Sequence, residues 1–431
     1  MKKIFITILT LAAAMGVFAQ ENESLRDTIL TLQQCIDMAV ANNAALKRAD
    51  NTALAATQTR KEAFTKYFPE ISATGFGFRS HNYIFQYNAL DMLNIELVKH
   101  GVLAGIQALQ PIFMGGQIVN GNQLAKVGEA AAELQRAQTE REVRLTAEQY
   151  YWKLATLQDT KKTLEAVIAT LDTLDRQIQV AVDAGVAMRN DLLKVRLKRN
   201  GYKADMVDLD NGIQLCRMVL SQYIGEDFEQ PINISAPVPE TVPAYPIDLH
   251  VNPAVVLDNT IDYQLLEANV KAKKLEKRME LGKNLPQILG GVGWYYHNVL
   301  EQGHNFGALQ LVVNIPISGW WGGSHAIKRK NLELENAKLE LEDFGQMLEI
   351  DMQNKWDELT AAHRKMELAA EAIGQAEENL RLNRVYYEAG TSTITDLLEA
   401  EALARQAHDQ FSTAYGDFQT SRAAYLNATA R

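Results

Sequence analysis

Along most of this chain apolar residues return every three to four positions, and in four short stretches the pattern changes to alternation. The first spacing is that of a helix face, the second that of a strand with two unlike faces. Leu32, Ile36, Ala39 and Val40, with Thr31 in the N-cap position and Pro69 as terminator, predict a helix over 32–66. A second helix is predicted from about 117 to 183, where no proline intervenes and Leu124, Val127, Leu154, Leu164, Leu171 and Ile178 keep the spacing. At about 1.5 Å per residue that helix is on the order of 100 Å long, far beyond what an ordinary globular core needs. Further helices are predicted over 190–225, 262–283, 324–388 and 395–428. Strands are predicted over 70–87, 100–113, 286–296 and 306–317. In the first of these Ile71, Ala73, Gly75 and Gly77 alternate with Ser72, Thr74, Phe76 and Phe78. The intervening 88–99 and 297–305 read as loops.

The order of these elements occurs twice. Asp183-Ala184-Gly185-Val186-Ala187-Met188-Arg189-Asn190-Asp191-Leu192-Leu193 is answered by Glu388-Ala389-Gly390-Thr391-Ser392-Thr393-Ile394-Thr395-Asp396-Leu397-Leu398 at an offset of 205. Each phrase joins two helical stretches through a glycine in C-cap position and a new helix that starts near an aspartate. Pro111-Ile112 before Gly115-Gly116 is answered by Pro316-Ile317 before Gly322-Gly323, and both glycine pairs read as strand-to-helix turns. Phe68-Pro69 is answered by Leu285-Pro286. The chain is thus a duplication of one helix, β-hairpin, long helical hairpin unit. The expected organisation is a signal over 1–19, a first repeat over 20–230 with its tip turn at 184–190, a proline-rich linker over 231–258, and a second repeat over 259–431 with its tip turn at 389–395.

Lys2 and Lys3 before the apolar run Ile4 to Val17, with Ala19 as the small residue at the cleavage point, predict an export signal; the other reading of this run is a membrane anchor. No later run is long and apolar enough for a membrane helix. A formal net charge of -10 without a basic cluster argues against a nucleic-acid partner. In an oxidising compartment the two cysteines, Cys35 and Cys216, either form a disulfide or stand as two buried free thiols.

Four strands per chain cannot close a barrel, and lipid does not tolerate an open sheet edge. If the hairpins enter a membrane, several chains must pool them. Phe76, Phe78, Tyr83, Phe85, Tyr87, Trp294, Tyr295, Tyr296 and Phe306 crowd into the two hairpins, as an interfacial girdle would. The alternative is a soluble extracytoplasmic coiled-coil scaffold or adaptor, in which the strands would form a layer capping a helical bundle.

The duplication, the Leu32, Cys35, Ile36, Ala39, Asn42, Asn43 start, the Phe68-Pro69 strand entry, the Pro111-Ile112 strand exit and the two Ala-Gly turns before Asp-Leu-Leu together resemble the TolC-type outer-membrane efflux and secretion channels. The resemblance implies a mainly α fold with a small β part. It implies a homotrimer whose pooled strands form one twelve-stranded β-barrel, continued by a long α-helical barrel through the periplasm. It also implies a passive duct, not an enzyme, fed by a periplasmic adaptor and an inner-membrane pump and surrounded by outer-membrane lipid. By position, Asp396 and Glu399 match the family's acidic constriction, and Asn190, Asp191 and Tyr387 match its closing network. An arginine of the family's founding member near the second turn is here Ser392. The other readings of these residues are helix capping for Asp191 and Asp396, and a solvated face for Glu399. The small turn residues Ala184, Gly185, Val186 and Ala389, Gly390, Thr391 would let the adaptor's helical hairpin approach tip to tip.

No catalytic constellation is expected. The eight histidines are scattered, none in a His-x-x-x-His pair, and neither glycine pair is followed by a Lys-Ser/Thr in phosphate-loop register. No metal or cofactor is expected, although His297 and His304 flank a hairpin tip where they could touch a metal.

Overall fold

The computed structural model describes residues 29–89, 93–229, 232–235, 237–239, 241–298, 303–317 and 319–431. The signal expected over 1–19 lies outside them. In chain order the elements are β1 (Ile29–Leu30), α1 (Leu32–Asn42), α2 (Ala44–Thr65), β2 (Glu70–Arg79), β3 (Phe85–Ala89), β4 (Leu93–Leu97), β5 (His100–Met114), α3 (Gln117–Asp183), α4 (Arg189–Ile224), β6 (Asn233–Ile234), α5 (Pro253–Val256), α6 (Ile261–Lys283), β7 (Gln287–His297), β8 (His304–Asn314), α7 (Gly319–Glu388) and α8 (Ile394–Ala428). Contacts divide the chain into two compact units. One holds Asp50–Arg136 and Ile261–Gly345; the other holds Ala137–Thr260, Gln346–Arg431 and the stretch that ends at Ala49.

The first unit carries an antiparallel sheet in the order β2-β5-β7-β8. Its central seam joins the two repeats, because β5 of the first pairs with β7 of the second, Ile106 opposite Trp294. The register slips between Pro111 and Phe113, where Ile112 is the extra residue of a bulge next to the proline that cannot donate. The stretch read as a strand over 70–87 stops at Arg79, where the alternation gives way to the polar run Ser80-His81-Asn82. The loop expected over 88–99 instead contributes to a small hairpin, Phe85 opposite Leu97 through Ala89 opposite Leu93. The expected 297–305 loop is shorter as well, since β7 runs through His297 and β8 starts at His304.

The two glycine pairs behave differently. Gly115 and Gly116 take positive φ, 61° and 76°, and turn the chain from β5 into α3. A side chain at Gly115 would strike the carbonyl of Gly282 on α6. Gly322 and Gly323, read from the sequence as an equivalent turn, lie inside α7, which has already begun at Gly319. The second pair is needed for space rather than for a turn, because a Cβ on Gly323 would overlap the Asn284 side chain.

The second unit is built on heptad seams. On α3 the buried positions are Leu164, Val167, Leu171, Leu174 and Ile178; on α4 they include Leu192, Val195 and Tyr202, and Ile394, Leu397 and Leu398 of α8 complete the cluster. Farther along α8, Phe411, Tyr415, Phe418 and Tyr425 continue the same spacing against Trp356, Leu359 and Met366 of α7. The helix expected over 32–66 is broken at Asn43. There the side chain accepts from the Ala45 N–H at 2.8 Å and donates to the Tyr223 carbonyl at 3.1 Å, while Asn42 donates to the Ile224 carbonyl at 3.2 Å. The two asparagines thus satisfy the carbonyls at the end of α4, which have no intrahelical partner. The proline-rich linker packs on α7 and α8: the Val251 N–H donates to the Tyr425 hydroxyl at 3.0 Å, and His363 meets the Pro243 carbonyl at 2.9 Å.

Cys35 and Cys216 stand as two free thiols in the structure, the second of the two readings. Both border the core formed by α1, α3 and α4. Cys35 lies beside Tyr151, whereas the Cys216 thiol points at the Tyr150 carbonyl, 3.8 Å away. Burial pushes the Cys35 thiol up to about 11 and raises that of Cys216 as well.

Two outcomes follow for the purified protein. Gly115→Ala combines a positive φ with a backbone clash and should cost about 1–3 kcal/mol, read as a lower unfolding midpoint. Both thiols stay protonated at pH 8, so Ellman's reagent should find about two thiols only after unfolding in unreduced denaturant; finding none there would restore the disulfide.

Candidate functional site

Two places in the fold combine exposure with chemistry: the faces of the sheet and the tips of the helical hairpins. Cross-strand partners share a face, so the register divides the sheet residues into two sets. One face carries Ile71, Ala73 and Gly75 of β2, then Ala104, Ile106 and Ala108 of β5. It continues through Val292, Trp294 and Tyr296 of β7 to Leu309, Leu311 and Val313 of β8. This face is apolar, yet Leu309 is 88% and Ile71 73% exposed, which is the reverse of what water favours. The opposite face is mixed: Phe76, Leu103, Phe306 and Val312 share it with a hydrogen-bonded row of one side chain from each strand. Gln107 donates to Ser72 at 3.4 Å, Tyr295 donates to Gln107 at 3.1 Å, and Gln310 donates to Tyr295 at 3.4 Å. The Tyr295 ring lies flat over Gly293, where any Cβ would collide with it. His297 and His304 face each other with ring centroids 5.7 Å apart. Among the described residues no group of His, Cys, Asp and Glu could hold a metal ion. None of their helices is long and apolar enough to cross a membrane.

The two tips repeat each other bond for bond. The Gly185 N–H donates to the Val182 carbonyl and that of Val186 to Ala181; the Gly390 N–H donates to Tyr387 and that of Thr391 to Tyr386. This is a Schellman ending, and it needs the left-handed residue that Gly185 (φ 76°) and Gly390 (φ 72°) supply. Ala184, Gly185, Val186, Ala389, Gly390 and Thr391 are all exposed.

Beyond the turns the repeats diverge. At the second tip Thr393 and Asp396 form a capping box. One Asp396 oxygen accepts from the Thr393 hydroxyl at 2.7 Å, the Thr393 N–H at 2.9 Å and the Ser392 hydroxyl at 3.1 Å. These bonds hold its carboxyl below the usual aspartate range, the Thr393 hydroxyl being the largest cause. Glu399, three residues on, is exposed. At the first tip the corresponding residues, 205 positions earlier, are Asp191 and Lys194, and these pair at 3.5 Å. Lys194 also donates to Thr395 at 3.0 Å, tying one tip to the other. Asn190 is exposed. Tyr387 packs into the seam, and burial first, then the Asp191 charge, raises its hydroxyl. The structure therefore brings Asp191 and Tyr387 together and leaves Asp396 and Glu399 open to solvent. Lys194 and Thr395 are the additions that the sequence reading missed; the signal was the change from Lys194 to Glu399 at equivalent repeat positions. A second addition lies deeper, where Glu401 of α8 is buried against Arg384 at 3.0 Å and burial raises its carboxyl in spite of that partner.

Solved structures share this fold. The outer membrane protein VceC of Vibrio cholerae is 14% identical, with a TM-score of 0.78 over 92% of this chain and 95% of that one. The CmeC outer membrane channel of Campylobacter jejuni is 14% identical, with a TM-score of 0.80 over 95% and 90%. The open state of the MtrE outer membrane channel of Neisseria gonorrhoeae is 18% identical, with a TM-score of 0.75 over 92% and 88%. No curated protein matches the chain in sequence. Residues 35–226 match the model of the family described as outer membrane efflux protein. The fold likeness spans both halves of the chain, and the match to the outer membrane efflux protein model falls on the first.

Proposed function

We propose that this chain is the outer-membrane exit duct of a tripartite efflux or secretion system, and that it works as a homotrimer. Three copies pool their four-stranded sheets into one twelve-stranded barrel, which leaves no edge in lipid. The observation that carries this reading is the contrast between one sheet face that is apolar and exposed and a mixed face across which Ser72, Gln107, Tyr295 and Gln310 form a hydrogen-bonded row. A barrel wall needs that division, with lipid outside and water inside; a scaffold protein in water would not leave Leu309 and Leu311 bare. The duct performs no chemistry. Its long helices form a periplasmic tunnel, and its tips receive a periplasmic adaptor that couples it to an inner-membrane pump.

The tips then hold the gate. Three Asp396 and three Glu399 carboxylates meet at the narrow end, while the equivalent positions of the first repeat are neutralised by Lys194 pairing with Asp191. An acidic ring in a confined pore attracts cations and sets selectivity. Tyr387 and Asp191 brace the neighbouring helices, with Asn190 at the exposed start of α4. The exposed turns at Gly185 and Gly390 are the docking points for the adaptor's helical hairpin.

The wall is tested by placing one arginine on each face. Leu311→Arg should block insertion into the outer membrane, since a charge in lipid costs about 2–4 kcal/mol near the midplane, while Gln310→Arg should insert and form trimers. Equal tolerance of both would return the chain to a soluble scaffold. The gate is tested in planar bilayers. The wild-type protein should show a small, cation-selective conductance blocked by multivalent cations from the periplasmic side, and D396A/E399A should lose both properties. Because the Asp396 pKa is lowered, its charge is lost only as pH falls through a value under that of a free aspartate.

A further inference from the structure

At the base of the sheet lies a cleft for which the channel reading has no use. Glu70, Pro111, Met114 and Leu289 line it, and the register puts all four on the face that carries Gln107 and Tyr295. Residues of α2, α3 and α6, among them Ala63, Gly121 and Met279, close it from the other side, and its volume is about 830 Å³. A second cleft of about 730 Å³ continues from it, sharing Thr59, Ala63, Gly121 and Met279 and walled further on by Leu124, Val127 and Leu265. Either volume suits a drug-sized molecule.

Three observations describe what would fit. Apolar side chains, Phe68, Pro111, Ile118, Leu289 and two methionines, make up much of the wall, and methionines repack around ligands of different shape. The Gln117 side-chain nitrogen in the first cleft is buried and has no hydrogen-bond partner, so it offers a donor that is costly to leave unused. The charged side chains at the first cleft are Glu62 and Glu70 against the single Lys66, an acidic excess. In the second, Glu129 is already paired with Arg60 at 2.8 Å.

We propose that this cleft is a transit-binding site for cargo, and that the cargo it takes is a cationic amphiphile: aromatic or aliphatic rings against the methionines and leucines, an acceptor atom toward Gln117, and a positive charge toward Glu62 and Glu70. The proposal rests on the channel reading, because only in a pooled barrel does this face of the sheet line the path. It adds a substrate class to the duct. The cleft holds small apolar cations briefly on the inner wall and keeps them from the surrounding lipid, while anions pass unretained.

The full-length trimer in lipid nanodiscs tests this with two lipophilic ions of similar shape and opposite charge, tetraphenylphosphonium and tetraphenylborate. Equilibrium dialysis against empty nanodiscs should show saturable uptake of the phosphonium, one per chain, and binding of the borate at least about tenfold weaker. A Cβ on Gly121 would meet the Met279 methyl at an ordinary 3.7 Å, so Gly121→Leu can be built and should fill the cleft, weakening phosphonium binding about tenfold. Ala63→Leu fills it from α2 and should act in the same way. Unsaturable uptake, equal affinity for both ions, or unchanged affinity in both variants would overturn the proposal. Conductance of the wild-type preparation separates the two readings: a conducting trimer without saturable uptake sinks the site alone, and a non-conducting one sinks the channel on which it depends.

Discussion

The backbone hydrogen bonds at the outer edges of β2 and β8 are the constraint on which the rest of this architecture turns. Among the described residues neither edge has a strand partner. In water such edges invite aggregation, and in lipid each unmet N–H and C=O costs several kcal/mol. The bare apolar face poses the same demand side chain by side chain. In the proposed trimer other copies complete this pairing and lipid covers the outside of the sheet. The face with the four-strand relay of Ser72, Gln107, Tyr295 and Gln310 is then the one left for water. The helical hairpins depend on the same constraint at one remove, because α3 and α7 both continue out of the sheet-bearing unit.

Much of this was legible in the sequence, for identifiable reasons. A left-handed helix ending needs glycine, so Gly185 and Gly390 betray themselves and their turns. Heptad spacing survives over dozens of residues, so the long helices have sharp limits. Features set by space or by partners were less legible. Gly322-Gly323 resembles Gly115-Gly116 letter for letter, but serves to clear Asn284 rather than to turn. Asn43 breaks a helix whose apolar periodicity runs straight through it, because its side chain is drawn to carbonyls 180 residues away. The hairpin in the expected 88–99 loop carries no turn signature of its own. Cys35 and Cys216 flank one core, and that one thiol lies beside Tyr151 and the other at the Tyr150 carbonyl is not written in their spacing. For the candidate gate, aspartate at the two tips was readable, but the pairing of Lys194 with Asp191 and its bond to Thr395 was not, since it depends on which helices become neighbours.

Duplication followed by divergence explains the distribution of function along the chain. The backbone turns remain superimposable in their hydrogen bonds, as a shared docking geometry would require. The side chains just beyond them have parted. One copy closes its carboxylate with a lysine; the other engages a single oxygen of its carboxylate in a capping box and adds a glutamate. Structural duties have stayed common to both repeats, while charge has been concentrated in one.

The seam between β5 and β7 has a consequence for how the chain reaches its folded state. It pairs residues such as Ile106 and Trp294, 188 positions apart, whereas the α3–α4 hairpin closes around a turn of five residues at 184–188. Loop-closure entropy makes the distant pairing slow and the local one fast. The helices therefore form early and near the site of their synthesis, and the sheet waits for the second repeat. The β5–β7 seam is then the last pairing of the sheet to close, after the β2–β5 and β7–β8 pairs that lie within one repeat each.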